Sequence, residues 1–225
     1  MNKKILILSP HADDEILGCG GFISKYSKKK YHVNVLIMTN ANEGAPEIYS
    51  DEKIKKIREE SKKANKFIGT KKLFFEDLPA LNLSNFPLYK ISNIISKYLK
   101  KINPEIVLLP SSNDIHEDHK IIFKAAKVSM RTNKKTNLKK ILSYEVVSET
   151  EWNENEMSFN PNYFVCLDKS DIDKKVKAFL KYKSQVMKFP HPRSKENIYN
   201  LSKVRGSQVY MRFAEAFRVE KILDL

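Results

Sequence analysis

The sequence predicts an α/β fold: a Rossmann-like, three-layer arrangement with a mostly parallel sheet between helices. Three observations carry that expectation. Short apolar runs alternate with longer amphipathic segments through the first 130 residues, as in doubly wound sheets. With 41% hydrophobic residues, including 12 Phe and 10 Tyr, the chain can fill a real core. Clusters of His, Asp and Glu directly follow two of the apolar runs, where α/β proteins place their ligands.

The elements follow in order. Residues 5–9 read as a buried strand and 15–29 as a helix, with Ile16, Leu17, Phe22, Ile23 and Tyr26 at helical spacing. Residues 33–38 form a second strand that ends in the polar loop Thr39 to Gly44. A charged helix runs from about Ser50 to Ile68 and stops at Gly69. Leu73-Phe74-Phe75 is a short strand, and a loop with Pro79 and Pro87 leads to a helix near 88–101. Residues 105–109 are another strand ending at Pro110, with a helix to about Met130 after the second ligand-rich segment. The pattern then changes. Strands are expected at 141–147 and 163–166, with a polar loop at 148–162 between them. A helix at about 170–186, a Pro-containing loop, a helix near 194–203 and a closing strand at 214–219 complete the chain. A single domain over 1–225 is expected, with 1–135 as the doubly wound core and 136–225 completing the sheet and the substrate pocket.

Composition narrows the function. Cys19 and Cys166 are too few for a disulfide framework and form no CxxC zinc pattern, which fits a reducing, cytoplasmic setting. The start, Met1 to Leu8, faintly imitates a signal peptide, but its apolar run is too short. No run approaches a transmembrane span. The net charge of +14 comes mostly from lysine pairs and triplets, such as Lys28-Lys29-Lys30 and Lys134-Lys135. Those read either as a lysine-rich surface or as attraction to an anionic substrate or a membrane. A basic nucleic-acid or membrane binding module is the reading from another class. It leaves the histidine–carboxylate clusters unexplained, and no nucleic-acid partner is expected.

The first cluster is His11, Asp13, Asp14 and Glu15; the second is Asp114, His116, Glu117, Asp118 and His119. If both strands are parallel in one sheet, the clusters reach the same rim, and His11, Asp14 and His119 can close on one ion. Three protein ligands and an open position make a catalytic zinc site. Successive residues of an extended segment point opposite ways, so one of Asp13 and Asp14 can ligate while the other faces a water. A carboxylate beside a metal-activated water is a natural general base. His116 can steady an oxyanion or protonate a leaving amine. Taken singly, each cluster has a plainer reading: His-x-x-His arises by chance, Asp-Asp-Glu complements a helix dipole, and Asp114 is a helix cap. Together they hold three of the five histidines at two strand ends.

Weaker candidates complete the survey. Gly18-Cys19-Gly20-Gly21 is a poor dinucleotide fingerprint, because Ile23 stands where the third glycine belongs, and reads better as close helix–sheet packing. His191 lines the pocket rim or sits in a rigid loop between prolines. Arg193 and Arg205 read either as holding an anionic substrate group or as surface salt bridges, with Glu215 placed to pair with one of them or with Arg218. Trp152 either caps the ring of a substrate or belongs to an oligomer contact, and His32 starts a strand.

Pro10-His11-Ala12-Asp13-Asp14-Glu15 resembles the signature of the LmbE/PIG-L family of zinc-dependent deacetylases, usually His-Pro-Asp-Asp-Glu, with Ala12 replacing the usual proline. His116-Glu117-Asp118-His119 resembles its His-x-Asp-His motif. Arg58-Glu59-Glu60, the segment from Lys175 to Gln185, and Pro190-His191-Pro192-Arg193-Ser194, Arg205-Gly206 and Ala214 to Phe217 extend the likeness over most of the chain. The resemblance implies His11, Asp14 and His119 as zinc ligands and Asp13 as general base. It implies His116 as oxyanion stabiliser or acid, and Asp118 behind the ligands, orienting a histidine. Glu15 would serve the helix start or stand behind the ligands. Arg58, His191 and Arg193 would face the substrate. The implied reaction removes an N-acetyl group from an amino sugar of the N-acetylglucosamine type, in bacterial glycan or glycoconjugate biosynthesis. Iron(II) (Fe2+) or another divalent ion suits the same nitrogen/oxygen donors as Zn2+. A homo-oligomer is also implied. A metal-dependent amidase acting on a non-sugar or thiol-conjugate substrate is the alternative.

Overall fold

The apolar run at the start of the chain is β1 (Lys4–Ser9), and its side chains alternate between two separate cores. The computed structural model describes residues 3–131, 136–153 and 159–224. Lys134-Lys135 and part of the expected 148–162 loop fall outside them. β1 joins β2 (His32–Asn40), β3 (Lys72–Pro79), β4 (Ile106–Pro110), β5 (Lys140–Tyr144), β6 (Tyr163–Cys166) and β7 (Ala214–Ile222) in one sheet. The strand order is β3-β2-β1-β4-β5-β7-β6. The first five strands run parallel; β7 lies antiparallel to both β5 and β6. The expected mostly parallel three-layer fold is therefore observed.

Ile5 and Ile7 point into a core shared with α1 (Asp14–Lys28), α3 (Asp51–Ile68), α6 (Lys169–Phe179) and α7 (Lys195–Ser207). Leu6 and Leu8 point into the opposite core, under α4 (Leu88–Ile102) and α5 (Glu117–Ser129). Both faces of β1 are thus sealed, and each such side chain contributes about 1.5–3 kcal/mol through burial. The short helix α2 (Ala41–Gly44) follows β2 directly. Ser50 caps α3 by accepting from the Lys53 amide, and Gly69 ends it at φ 107°, a conformation that favours glycine. The glycines of α1 serve packing, as expected: a Cβ on Gly18 would lie 2.3 Å from the Tyr144 ring.

Several boundaries differ from the sequence reading. β5 stops at Tyr144 rather than at residue 147, β3 runs on to Pro79, and the last helix continues to Ser207. The helix expected over 170–186 ends at Phe179. Tyr182 is drawn inward to Glu15, and Glu60 takes the Ser184 amide and hydroxyl. Those bonds replace the helical ladder with turns. Glu215 pairs with buried Lys175 at 2.7 Å, not with an arginine.

The strand order reverses between β1 and β4, which are hydrogen-bonded neighbours. The chain leaves β1 towards one side of the sheet and leaves β4 towards the other. The loops after these two strands therefore flank a crevice at one rim, the usual ligand position of open α/β sheets. Among the described residues, no helix is long and apolar enough to cross a membrane.

Candidate metal centre

Both ligand-rich segments arrive at that crevice. After β1 the chain turns through residues 10–13 and enters α1 at Asp14, with Asp13 as its cap residue. Asp13 has φ 127°, a strained value for a residue with a side chain. Its amide donates to Glu15 Oε2 at 3.0 Å, and its carbonyl accepts from the Ile16 and Leu17 amides at 2.9 Å. After β4 the loop 111–116 leads into α5. His116 caps this helix, its Nδ1 accepting the Asp118 amide at 3.2 Å. Asp114, for which a helix cap is the plainer reading of the sequence, instead accepts from the His116 amide at 2.9 Å and from Thr150 Oγ1 at 2.7 Å.

Three donor atoms form a nearly equilateral triangle. His11 Nδ1 and His119 Nε2 are 3.3 Å apart, each close to Asp14 Oδ2, at 3.5 and 3.3 Å. Metal–ligand bonds of about 2.0–2.2 Å in a tetrahedron require donor separations of about 3.3–3.6 Å. The triangle therefore fits three corners of a tetrahedral site. A ring nitrogen of His116 also lies within 4.8 Å of nitrogens on His11 and His119. With its Nδ1 committed to the helix start, His116 faces the same space, its ring centroid 4.5 Å from that of His11.

The far sides of both histidines meet carboxylates. His11 Nε2 lies 3.0 Å from Asp118 Oδ2, which also accepts the Leu81 amide at 2.7 Å. His119 Nδ1 lies 3.0 Å from Asp114 Oδ2, off the ideal hydrogen-bond line. Such carboxylates fix the tautomer and leave the opposite nitrogen's lone pair for a cation. Burial opposes charge on both rings, yet the carboxylates prevail, raising His11 to about 9 and His119 to about 10. Burial also acts against the Asp14 carboxylate, but His119 and His11 hold it well below the usual range. The site thus draws positive charge.

Asp13 and His116 flank the triangle. Burial, with Asp14 and Glu15 nearby, raises Asp13 to about 8 against the pull of Arg193. Burial beside His11 and His119 lowers His116 to about 4. Both line a cavity of about 230 Å³, with His11, Arg58, Glu149 and Arg193. Ile37, Tyr49, Ile54, Ile57, Phe75 and Leu81 add an apolar part to its lining.

The structure brings His11, Asp13, Asp14, His116, Asp118 and His119 together, and places the other candidates around them. Glu15 is buried beneath Asp13. Arg58 lines the cavity, where it is bound to Asp77 and lies over the Phe75 ring. Arg193 reaches Asp13, with Nη1 3.4 Å from Oδ2. His191 lies in an adjoining cavity and accepts the Arg193 amide through Nδ1 at 3.0 Å. Arg205 is paired with Glu145, away from the histidines. Trp152 is exposed. Sequence reasoning missed Glu149, which carries no motif of its own; Tyr182 and Gln185 stood only in the likeness of the segment from Lys175 to Gln185, with no role given, and Asp114 stood in the second cluster with helix capping as its plainer reading.

Residues 6–130 match the family model described as PIG-L, GlcNAc-PI de-N-acetylase. The chain belongs to the PIG-L family. An uncharacterized deacetylase, YaiS of Escherichia coli K12, is 29% identical over 81% of this chain and 91% of its own length. A diacetylchitobiose deacetylase of Thermococcus kodakarensis is 29% identical over 52% of this chain and 45% of its own. Solved structures share the fold. N,N'-diacetylchitobiose deacetylase from Pyrococcus horikoshii has a TM-score of 0.75 and 21% identity, covering 96% of this PIG-L chain and 83% of its own. GalB, a 4-carboxy-2-hydroxymuconate hydratase from Pseudomonas putida KT2440, has a TM-score of 0.76 and 18% identity, over 99% and 98%. A PIG-L fold thus hosts more than one reaction, and the chemistry lies in the residues of the site.

Proposed function

We propose that this deacetylase-family protein is a zinc-dependent hydrolase that removes an N-acetyl group from an amino sugar or sugar conjugate of the N-acetylglucosamine type. The observation that carries the reading is the donor triangle of His11 Nδ1, Asp14 Oδ2 and His119 Nε2, with Asp13 and His116 beside it at a cavity. These three residues would hold the cation, which when bound would polarise the acetyl carbonyl and make a neighbouring water acidic. Asp13 takes the proton of the attacking water. The water oxygen bonds to the acetyl carbon, the carbon–nitrogen bond breaks, and the nitrogen leaves as an amine with the proton Asp13 collected. His116, neutral and with Nδ1 already accepting, donates from Nε2 to the carbonyl oxygen as it gains charge. Arg58 and Arg193 border the substrate, with His191 in the adjoining cavity.

The relatives named for diacetylchitobiose support an N-acetyl sugar. Elemental analysis of the purified protein, with acetate release from N,N'-diacetylchitobiose, N-acetylglucosamine, a nucleotide-linked N-acetyl sugar and a thiol-conjugated acetamide, tests the reading. Stoichiometric zinc and preference for the sugars are expected. Preference for the thiol conjugate would replace the sugar by a non-sugar amide. Asp13→Asn should keep its zinc and lose roughly 100- to 10,000-fold in kcat; undiminished kcat would remove Asp13 as the base.

A further inference from the structure

The turn Tyr182-Lys183-Ser184-Gln185 reaches Asp13 by two routes. The first runs through the backbone. The Tyr182 hydroxyl donates to Glu15 Oε1 at 2.5 Å, and Asn65 Nδ2 donates to the same oxygen at 2.7 Å. Glu15 Oε2 in turn accepts from the Asp13 amide at 3.0 Å. Tyr182 and Glu15 are fully buried. A buried carboxylate with three donors is fixed in place, and it holds the peptide that enters the strained φ of Asp13.

The second route runs through the side chain. Gln185 Oε1 accepts from Arg193 Nη1 at 3.2 Å, and the same nitrogen lies 3.4 Å from Asp13 Oδ2. The other guanidinium nitrogens are engaged as well: Nε donates to Ser148 Oγ at 2.8 Å and Nη2 to Glu149 Oε1 at 3.0 Å. With those partners, Arg193 is locked in a plane facing Asp13. The turn itself is tied down. Ser184 Oγ donates to Glu60 Oε2 at 2.5 Å, and the Gln185 amide donates to the Tyr182 carbonyl at 2.8 Å.

We propose that Tyr182 to Gln185 form a two-armed clamp that sets the orientation of Asp13, with Tyr182 and Arg193 as positioning residues. One arm holds the backbone of Asp13, the other one oxygen of its carboxylate, which reserves the second oxygen for a water. The proposal rests on the reading of Asp13 as general base. It gives Arg193 a duty different from gripping substrate.

The test uses the full chain loaded with zinc and N,N'-diacetylchitobiose as substrate. Tyr182→Phe keeps the ring and removes one donor. Its kcat should fall roughly 10- to 100-fold, the scale of a misplacement of about 1 Å, with KM and zinc content unchanged. Arg193→Met should behave alike, and Arg193→Lys should recover part of the loss. The decisive measurement adds Tyr182→Phe to Asp13→Asn. If the tyrosine acts through Asp13, the double variant is no slower than Asp13→Asn alone. Losses that multiply, an unchanged kcat in Tyr182→Phe, or a raised KM with normal kcat in the Arg193 variants would each overturn the clamp. Wild-type kcat in Asp13→Asn alone would instead show that the base reading is the one at fault. The crystal structure of Tyr182→Phe needs no substrate: Asp13 should leave its φ near 127°, and an unmoved Asp13 defeats the proposal.

Discussion

The two sides of the cavity are built on different principles. On one side, the donors His11, Asp14 and His119 sit within a few residues of strand ends or inside first helical turns. Their positions are fixed by β1 and β4, paired from Ile5 with Ile106 to Ile7 with Leu108. On the other side, Asp13 meets Arg193 and Glu15, which are in turn bound by Gln185, Glu149 and Tyr182 from the C-terminal part through side-chain hydrogen bonds. A metal ion accepts little error in donor position, so its ligands belong on rigid, closely paired elements. A general base needs an oriented carboxylate in a controlled field, which long-range hydrogen bonds can supply.

The largest effect should come from breaking the strand-borne side. In His119→Ala one corner of the triangle disappears, and Asp114 and Asp14 lose their shared partner. Zinc affinity should fall by more than roughly 100-fold, beyond what losing an outer partner costs, and turnover with it. Zinc content after dialysis measures this directly; wild-type content would take His119 out of the ligand set.

A comparable cost, but to stability alone, is expected away from the cavity. Lys175 and Glu215 form a buried pair, and Glu215 also accepts the Gly21 and Phe22 amides of α1 at 2.7 and 2.5 Å. Lys175→Met leaves that carboxylate buried without its cation. Such losses cost about 3 kcal/mol, which for a chain of this length lowers Tm by roughly 6–12 °C. Turnover at a temperature well below the transition should not change. If turnover falls with unchanged zinc, the C-terminal part influences the donors as well as the base, and the contrast between the two sides weakens.

The same division explains what could be read from the chain. The donor side was legible because its residues lie next to apolar runs whose pairing follows from the βα alternation, so His11 and His119 could be assigned to one rim. The base side was not. The helical period continues through Val186, and only the pull of Glu15 on Tyr182 and of Glu60 on Ser184 ends the helix at Phe179. Glu215 was expected near an arginine because pairing on a lysine-rich surface is ambiguous, and packing against α1 chose Lys175. Arg193 was visible as a charge, yet its neighbours Ser148 and Glu149 lie about 45 positions away in a loop without periodicity. Contacts made by side chains across loops leave no regular trace in a sequence.

The smallest predicted effect sharpens the comparison most, because Asp118 touches the donor side only from behind. Its Oδ2 lies 3.0 Å from His11 Nε2, with the Leu81 amide on the same oxygen. Asp118→Asn keeps the shape and an acceptor but removes the charge that aligns the imidazole. Zinc affinity should drop about 10- to 100-fold, as when a histidine ligand loses its carboxylate partner. At saturating zinc, kcat should return to within a few-fold of wild type, since neither Asp13 nor His116 has changed. A titration of turnover against free zinc separates the outcomes. An unshifted midpoint would mean that Asp118 serves the Leu81 turn and not His11. A shifted midpoint with kcat still depressed at saturation would mean that the charge behind His11 also reaches the reacting atoms, and that the donor and base sides are electrostatically one unit.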